Sequence, residues 1–176
     1  SIRYYKTVAP DFWAQADSFA LLRDPFDRFA SSYAFVRSGG TETCRLSDVF
    51  ARQTARLRDV DDYLSFVEDR DALSLDFVMR PQSWFVCDLK TGAPLVKRLF
   101  LYGKNDAMLS DFLKSHGVDR LRWLNPSMRN PLELSARQHS RIEKIYTRDF
   151  ELVGALRHRR AQESSDILRV AGIAAE

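Results

Sequence analysis

Ser18 to Arg37, SFALLRDPFDRFASSYAFVR, is the stretch that decides the fold. Its first five residues, Ser18-Phe19-Ala20-Leu21-Leu22, are an apolar run of the length of a buried strand. Arg23-Asp24-Pro25 breaks that run. Pro25 holds φ near about −65°, which suits the first turn of a helix, and Asp24 before it is a good N-cap for an orphan backbone N–H. Beyond the turn Phe26, Phe29, Ala30, Tyr33 and Val36 or Ala34 recur at three- and four-residue intervals, one face of an α-helix. The stretch therefore predicts strand, tight turn, helix.

Arg23 stands at the turn, Ser31 follows eight residues later, about two helical turns on, and Arg28 precedes Ser31 by three. An Arg at a strand end beside a helix N-terminus suits an anion, because the guanidinium fork and the free N–H groups can address one phosphate or sulfate. The plainer alternative pairs Arg23 with Asp24 or Asp27 and leaves Ser31 as filler on a helix surface. Spacing alone leaves both open.

The whole chain sets bounds around this motif. At 176 residues, 45% apolar and 29% charged, it reads as one ordinary globular domain able to build its own core. No apolar run approaches the ~18 residues of a membrane span. The opening SIRYYKTVAPDFW lacks a continuous hydrophobic region and a cleavage site, so no signal peptide is read. Cys44 and Cys87 lie far apart and form no metal-type pair. That usage fits a reducing compartment, with one disulfide still open, and the expected location is cytoplasmic. A net charge of +3 favours anionic ligands but is too mild to argue for nucleic acid.

Taken in order, TVAPDFWAQA predicts a short helix from Pro10 or Asp11 with Phe12 and Trp13 turned inward. Ser38-Gly39-Gly40-Thr41 is a loop. Leu46 to Leu57 predicts a helix capped by Ser47, and Asp61 to Glu68 another that buries Tyr63, Leu64, Phe66 and Val67. Leu73 to Cys87 is densely apolar but interrupted by Arg80-Pro81-Gln82, and Pro81 rules out a central strand. Polar groups in such a setting either satisfy buried backbone or face a ligand, which makes Arg80 and Gln82 substrate-side candidates.

Val96 to Gly103 predicts a strand, followed by a helix capped by Asn105 or Asp106 that runs to about Ser115 and stops at Gly117. Arg120 to Pro131 is a basic loop. Ser135 to Leu156 predicts one long amphipathic helix, and the tail 157–176 is either a last helix on the domain 1–156 or a contact for a partner. Strands followed by helices suggest an α/β layer with a mainly parallel sheet. His116, His139 and His158 read as ordinary solvent-side histidines.

Phe19 to Tyr33, FALLRDPFDRFASSY, closely resembles the 3′-phosphate-binding segment of sulfotransferases that use 3′-phosphoadenosine-5′-phosphosulfate (PAPS). It is most similar to the branch holding carbohydrate sulfotransferases and their bacterial relatives. In that pattern a strand ends in Arg-Asp-Pro, a second Arg follows five residues on, a Ser eight on, and a Tyr two beyond it. Arg23, Arg28, Ser31 and Tyr33 fill those places. MRPQSWFV (79–86) resembles the family's Pro-Gln segment, and FLYGKNDAMLSDFLKSHGV (100–118) its later strand and helix. NPSMRNPL (125–132) resembles its Asn-rich basic loop, and IYTRDFEL (145–152) its closing Tyr-x-x-Asp-aromatic signature.

The resemblance spans about residues 12 to 154. It implies a helix-rich, P-loop-like three-layer α/β fold that moves a sulfuryl group from PAPS to a hydroxyl or amine, leaving adenosine 3′,5′-bisphosphate (PAP). The implied acceptor is a small molecule or a glycan, with no metal and no nucleic acid. Arg23 and Ser31 would bind the 3′-phosphate, with Arg28 and Arg129 at the same donor site.

The chain also departs from the pattern. The family's Lys-bearing Gly/Thr loop for the 5′-phosphosulfate normally lies several tens of residues before Arg-Asp-Pro, and here only 22 residues precede Arg23. Lys6-Thr7-Val8-Ala9 has no Gly after it and is not that loop. Relatives often carry a His four residues before the Gln of the Pro-Gln segment, where this chain has Val78, and no catalytic base is assigned. Two accounts follow: an N-terminally incomplete sulfotransferase, or a catalytically incomplete relative that binds a nucleotide or a protein partner. The first is favoured, because a parallel sheet without its first strand leaves an unpaired edge. A kinase-like alternative is disfavoured because no GxxxxGK[ST] occurs.

Overall fold

The computed structural model describes residues 2–41, 43–103, 107–119 and 132–170. Two short helices, α1 (Ile2–Val8) and α2 (Pro10–Gln15), lead to strand β1 (Phe19–Leu22) and helix α3 (Pro25–Arg37). Helices α4 (Asp48–Thr54), α5 (Val60–Glu68) and α6 (Ser83–Val86) precede strand β2 (Arg98–Leu101). Helices α7 (Ala107–Ser115), α8 (Ala136–Ile145) and α9 (Thr147–Val170) follow.

β1 and β2 pair in parallel, with Phe19 opposite Arg98 and Leu22 opposite Leu101. Because alternate strand residues face opposite sides, Ala20, Leu22, Leu99 and Leu101 pack with Val86 of α6 and Leu152, Val153 and Leu156 of α9. Leu21 and Phe100 turn the other way, onto Leu109, Phe112 and Leu113 of α7. Covering both faces explains the near-continuous apolar runs of the two strands. Helix-rich, with a small parallel sheet, the chain is α/β in outline.

A larger helical core lies beside the sheet. Phe29 and Val36 of α3 meet Tyr63, Leu64, Phe66 and Val67 of α5 and Ile142 of α8, and Leu75 and Met79 fill the space between. All four residues expected on the buried face of α5 are buried. Asp59 caps α5 by accepting from the Asp62 N–H, so the helix begins one residue before the expected Asp61. Gly117, at φ +74°, ends α7 as expected: the Val118 N–H returns to Leu113 and that of Gly117 to Lys114.

Three expectations change. Phe12, expected inward, is 67% exposed, because six-residue α2 buries none of its side chains fully. Ser135–Leu156 is not one helix: α8 stops at Ile145, and Tyr146 takes φ −109°, ψ 27° before α9 starts. Thr147 Oγ1 donates to the carbonyls of Glu143 and Lys144, giving a donor to acceptors at the end of α8. α9 then continues through Arg157 to Val170. The helix expected over 46–57 is trimmed to Asp48–Thr54, with Ser47 as its cap. The Asn105 or Asp106 cap and the basic loop 120–131, Arg129 included, lie outside the described residues.

α5 and α8 are tied by Arg141, whose guanidinium donates to both carboxylate oxygens of Glu68 at 3.0 and 2.7 Å, to Asp61 at 2.7 Å and to Ser65 at 2.9 Å. The Arg141 hydrogen bond holds the Glu68 carboxyl below its ordinary value of 4.5. A lowered carboxyl stabilises the fold above its unfolded pKa and loses that contribution as pH falls through the folded one. Arg141→Gln is thus expected to cost about 1 kcal/mol in melts near neutral pH. The gap to wild type should narrow below about pH 4.5. Both cysteines are free, Cys44 exposed and Cys87 buried. Among the described residues no helix is long and apolar enough to cross a membrane.

Candidate anion site at the Arg23 turn

β1 delivers Arg23 at its C-terminal end, the edge of a parallel sheet where α/β proteins place ligands. Asp24 caps α3 as expected, its Oδ1 accepting from the N–H groups of Phe26 at 2.9 Å and Asp27 at 3.2 Å. Its other oxygen accepts from Arg157 of α9 at 2.7 Å. These contacts leave Asp24 without the pairing to Arg23 that the plainer reading of the turn expected. Asp24 is committed to the helix and to Arg157, and Arg23 forms no ion pair among the described residues. The same capping removes two of the helix N–H groups from any ligand, so an anion here depends on side chains. Ser31, half-buried on α3, has no hydrogen-bond partner among the described residues.

The Arg23 backbone is held from the side. Its N–H donates to Gln82 Oε1 at 2.8 Å, and its carbonyl accepts from Gln82 Nε2 at 2.9 Å. The Gln82 amide thus mimics a neighbouring strand just beyond the end of β1. Gln82 is held in turn by Asp149, which is 0% exposed and accepts from the N–H groups of Gln82 at 2.6 Å and Ser83 at 2.8 Å. Asp149 therefore caps α6, which has no side-chain cap of its own.

Pro81 makes the segment 77–83 irregular, and its buried backbone needs partners from elsewhere. Side chains supply them. Ser32 Oγ donates to the Val78 carbonyl at 2.8 Å, the Tyr146 hydroxyl to that of Met79 at 2.9 Å, and Arg28 Nη2 to that of Arg80 at 2.9 Å. Arg28 also reaches the Phe77 carbonyl at 3.4 Å. Ser32 and Tyr63 share a buried hydrogen bond of 2.6 Å. Three segments that are distant in sequence meet here: the Arg23 turn with α3, the Pro-Gln segment, and the Tyr146–Asp149 signature.

Electrostatics assigns Arg28 to this interior. Burial lowers its guanidinium pKa most, Tyr146 and Asp149 pull it back up, and the nearby charge of Arg23 lowers it again. Burial also pushes the Tyr63 and Tyr146 hydroxyls far above their ordinary value, so both stay neutral and act as hydrogen-bond donors. Arg80 is engaged within its own segment: its Nε and Nη2 donate to the carbonyls of Leu75 at 2.9 Å and Leu73 at 3.1 Å, and it stacks over Trp84. Of the residues singled out from sequence, Arg23, Arg28 and Gln82 are brought together, Ser31 lies on the adjoining helix, Arg80 is engaged elsewhere, and Arg129 lies outside the described residues.

Asp149, Tyr146 and Ser32 were not read as site residues from sequence. Ser32 did carry a signal, for it falls three residues after Phe29 and four before Val36, on the apolar face of α3, where a hydroxyl requires a partner. The adjacent serines should accordingly separate. Ser32→Ala strands the buried Tyr63 hydroxyl and should cost about 1–3 kcal/mol in chemical denaturation, whereas Ser31→Ala should leave stability within about 0.5 kcal/mol.

The arrangement presents a guanidinium without an ion pair and a hydroxyl without a hydrogen bond among the described residues, with the Arg23 backbone fixed in place by Gln82. It can hold an oxyanion. Among the described residues no group of His, Cys, Asp and Glu could hold a metal ion. No family model, curated protein or solved structure matches the chain.

Proposed function

We propose that the chain forms the donor-binding part of a PAPS-dependent sulfotransferase of the P-loop-like three-layer class, and that Arg23 and Ser31 receive the 3′-phosphate of PAPS. The observation that carries the proposal is the state of Arg23: its main chain is clamped on both sides by Gln82 while its guanidinium, at the C-terminal end of a parallel strand, has no ion-pair partner among the described residues. A guanidinium fixed at its root loses little freedom on meeting a phosphate and can donate two parallel N–H bonds to it. The Ser31 hydroxyl adds a third donor from α3. Support also comes from the meeting of the Arg23 turn, the Pro-Gln segment and the closing Asp signature in one hydrogen-bonded unit.

In this proposal sulfuryl transfer runs from PAPS to a hydroxyl or amine of a small molecule or glycan, and PAP is released. The Arg23 turn binds and orients the donor. Positioning of this kind is a large part of catalysis when the transferred group must lie in line with its acceptor. Arg28 and Gln82 serve the site from behind, through the backbone they hold.

The test is a melting experiment with PAP and with adenosine 5′-monophosphate, which lacks the 3′-phosphate. PAP at about 100 times its Kd should stabilise the protein by about 2.7 kcal/mol, a rise in Tm on the order of 5–10 °C. The monophosphate should give a small fraction of that rise. Equal shifts with the two nucleotides, or none with either, would contradict the proposal.

A further inference from the structure

A second concavity lies away from the Arg23 turn, between the C-terminal ends of α5 and α8, with a volume of about 450 Å³. Its apolar wall is Val67, Leu75, Pro81 and Ile145. Its polar rim is Glu68, Arg70 and Lys144. None of the residues proposed for the donor lines it.

The charges on that rim are not equivalent. Glu68 is consumed by Arg141, which grips both of its oxygens. The Asp71 carboxylate, close by in sequence, is likewise engaged by the N–H groups of Leu73 and Ser74 and by the Ser74 hydroxyl. Arg70 and Lys144 form no ion pair among the described residues. Arg70 is nevertheless held in place, stacked 3.6 Å over the Phe66 ring with Nη1 donating to the Phe66 carbonyl at 2.9 Å. A fixed guanidinium and a lysine on the rim of one cavity with an apolar wall select for charge and apolar area in one ligand.

We infer that this cavity binds a small amphipathic anion: an aromatic or alicyclic ring seated on Val67, Leu75, Pro81 and Ile145, carrying one carboxylate or similar oxyanion that meets Arg70 and Lys144. The volume falls in the lower part of the ~300–1,000 Å³ range of ligand pockets and suits one or two fused rings. The inference stands independently of the donor site.

The test is calorimetric titration of the full chain with 2-naphthoate and with naphthalene-2-carboxamide, its neutral counterpart of the same shape. Naphthoate should bind with a Kd of about 0.1–1 mM, as its size allows, and the carboxamide at least about tenfold more weakly. Arg70→Gln and Lys144→Gln are exposed changes that should preserve the fold, and each should weaken naphthoate about tenfold. Ala72→Phe, which places a ring at the wall of the cavity it lines, should weaken naphthoate at least about tenfold with Tm preserved. Arg23→Ala should leave naphthoate affinity unchanged. Equal affinity for the carboxamide, full affinity in the Arg70→Gln/Lys144→Gln double variant, loss of binding in Arg23→Ala, or no naphthoate binding at millimolar concentration would each overturn the inference.

Discussion

Asp149→Ala is expected to lower the stability of the fold by about 4 kcal/mol, a fall in Tm on the order of 8–16 °C. The carboxylate is fully buried and is the acceptor for two backbone N–H groups, those of Gln82 and Ser83. Removing it strands both donors in the interior and takes from Arg28 one of the negative groups that offset the cost of burying its guanidinium. Asp149→Asn keeps one acceptor and should cost about half as much, so the order wild type, Asn, Ala is itself a prediction. The effect should also reach the ligand. Asp149 positions Gln82, and Gln82 holds the Arg23 backbone, so PAP affinity measured well below the variant's Tm should fall as well. A drop in Tm below about 3 °C for the alanine variant would remove Asp149 from the role of clamp.

The second large effect separates two arginines that lie five residues apart. Arg28→Met should cost about 2 kcal/mol, because it leaves the carbonyls of Arg80 and Phe77 without their donor. PAP affinity of the folded Arg28→Met protein should stay within a few-fold of wild type. Arg23→Ala should behave in the opposite way, losing affinity at nearly constant Tm, since its side chain has no ion pair among the described residues to lose. Denaturation and titration of the same two variants check the crossing. If Arg28→Met weakens PAP as much as Arg23→Ala does at unchanged Tm, then Arg28 is a phosphate ligand rather than a support.

How far these roles could be read from sequence depended on how local their causes are. The strand, turn and helix over 18–37 were legible because Pro25 and Asp24 act within one turn, and the apolar face of α5 because burial there follows the helical period. The break at Tyr146 was not. Ile142, Ile145, Phe150 and Val153 keep helical spacing across it, and periodicity does not register a single residue leaving helical geometry. Phe12 failed for a related reason, since apolar character does not by itself provide a partner to pack against.

The position of Arg23 at the end of β1 was legible from the apolar run before it. The roles of Gln82 and Asp149 were not, because they satisfy backbone 59 and 67 residues away in sequence. For Arg28 and Arg80 the sequence shows only charge, while the carbonyls they donate to are set by tertiary structure.

The most direct test of the central claim is calorimetric titration of PAP into the wild-type chain and into Arg23→Ala. The account predicts saturable one-site binding to wild type and a loss of about 100-fold in Arg23→Ala, the share of a bidentate charge-assisted contact, with Tm in the absence of ligand nearly unchanged. Equal affinity in the two proteins, or no binding to either, would contradict it.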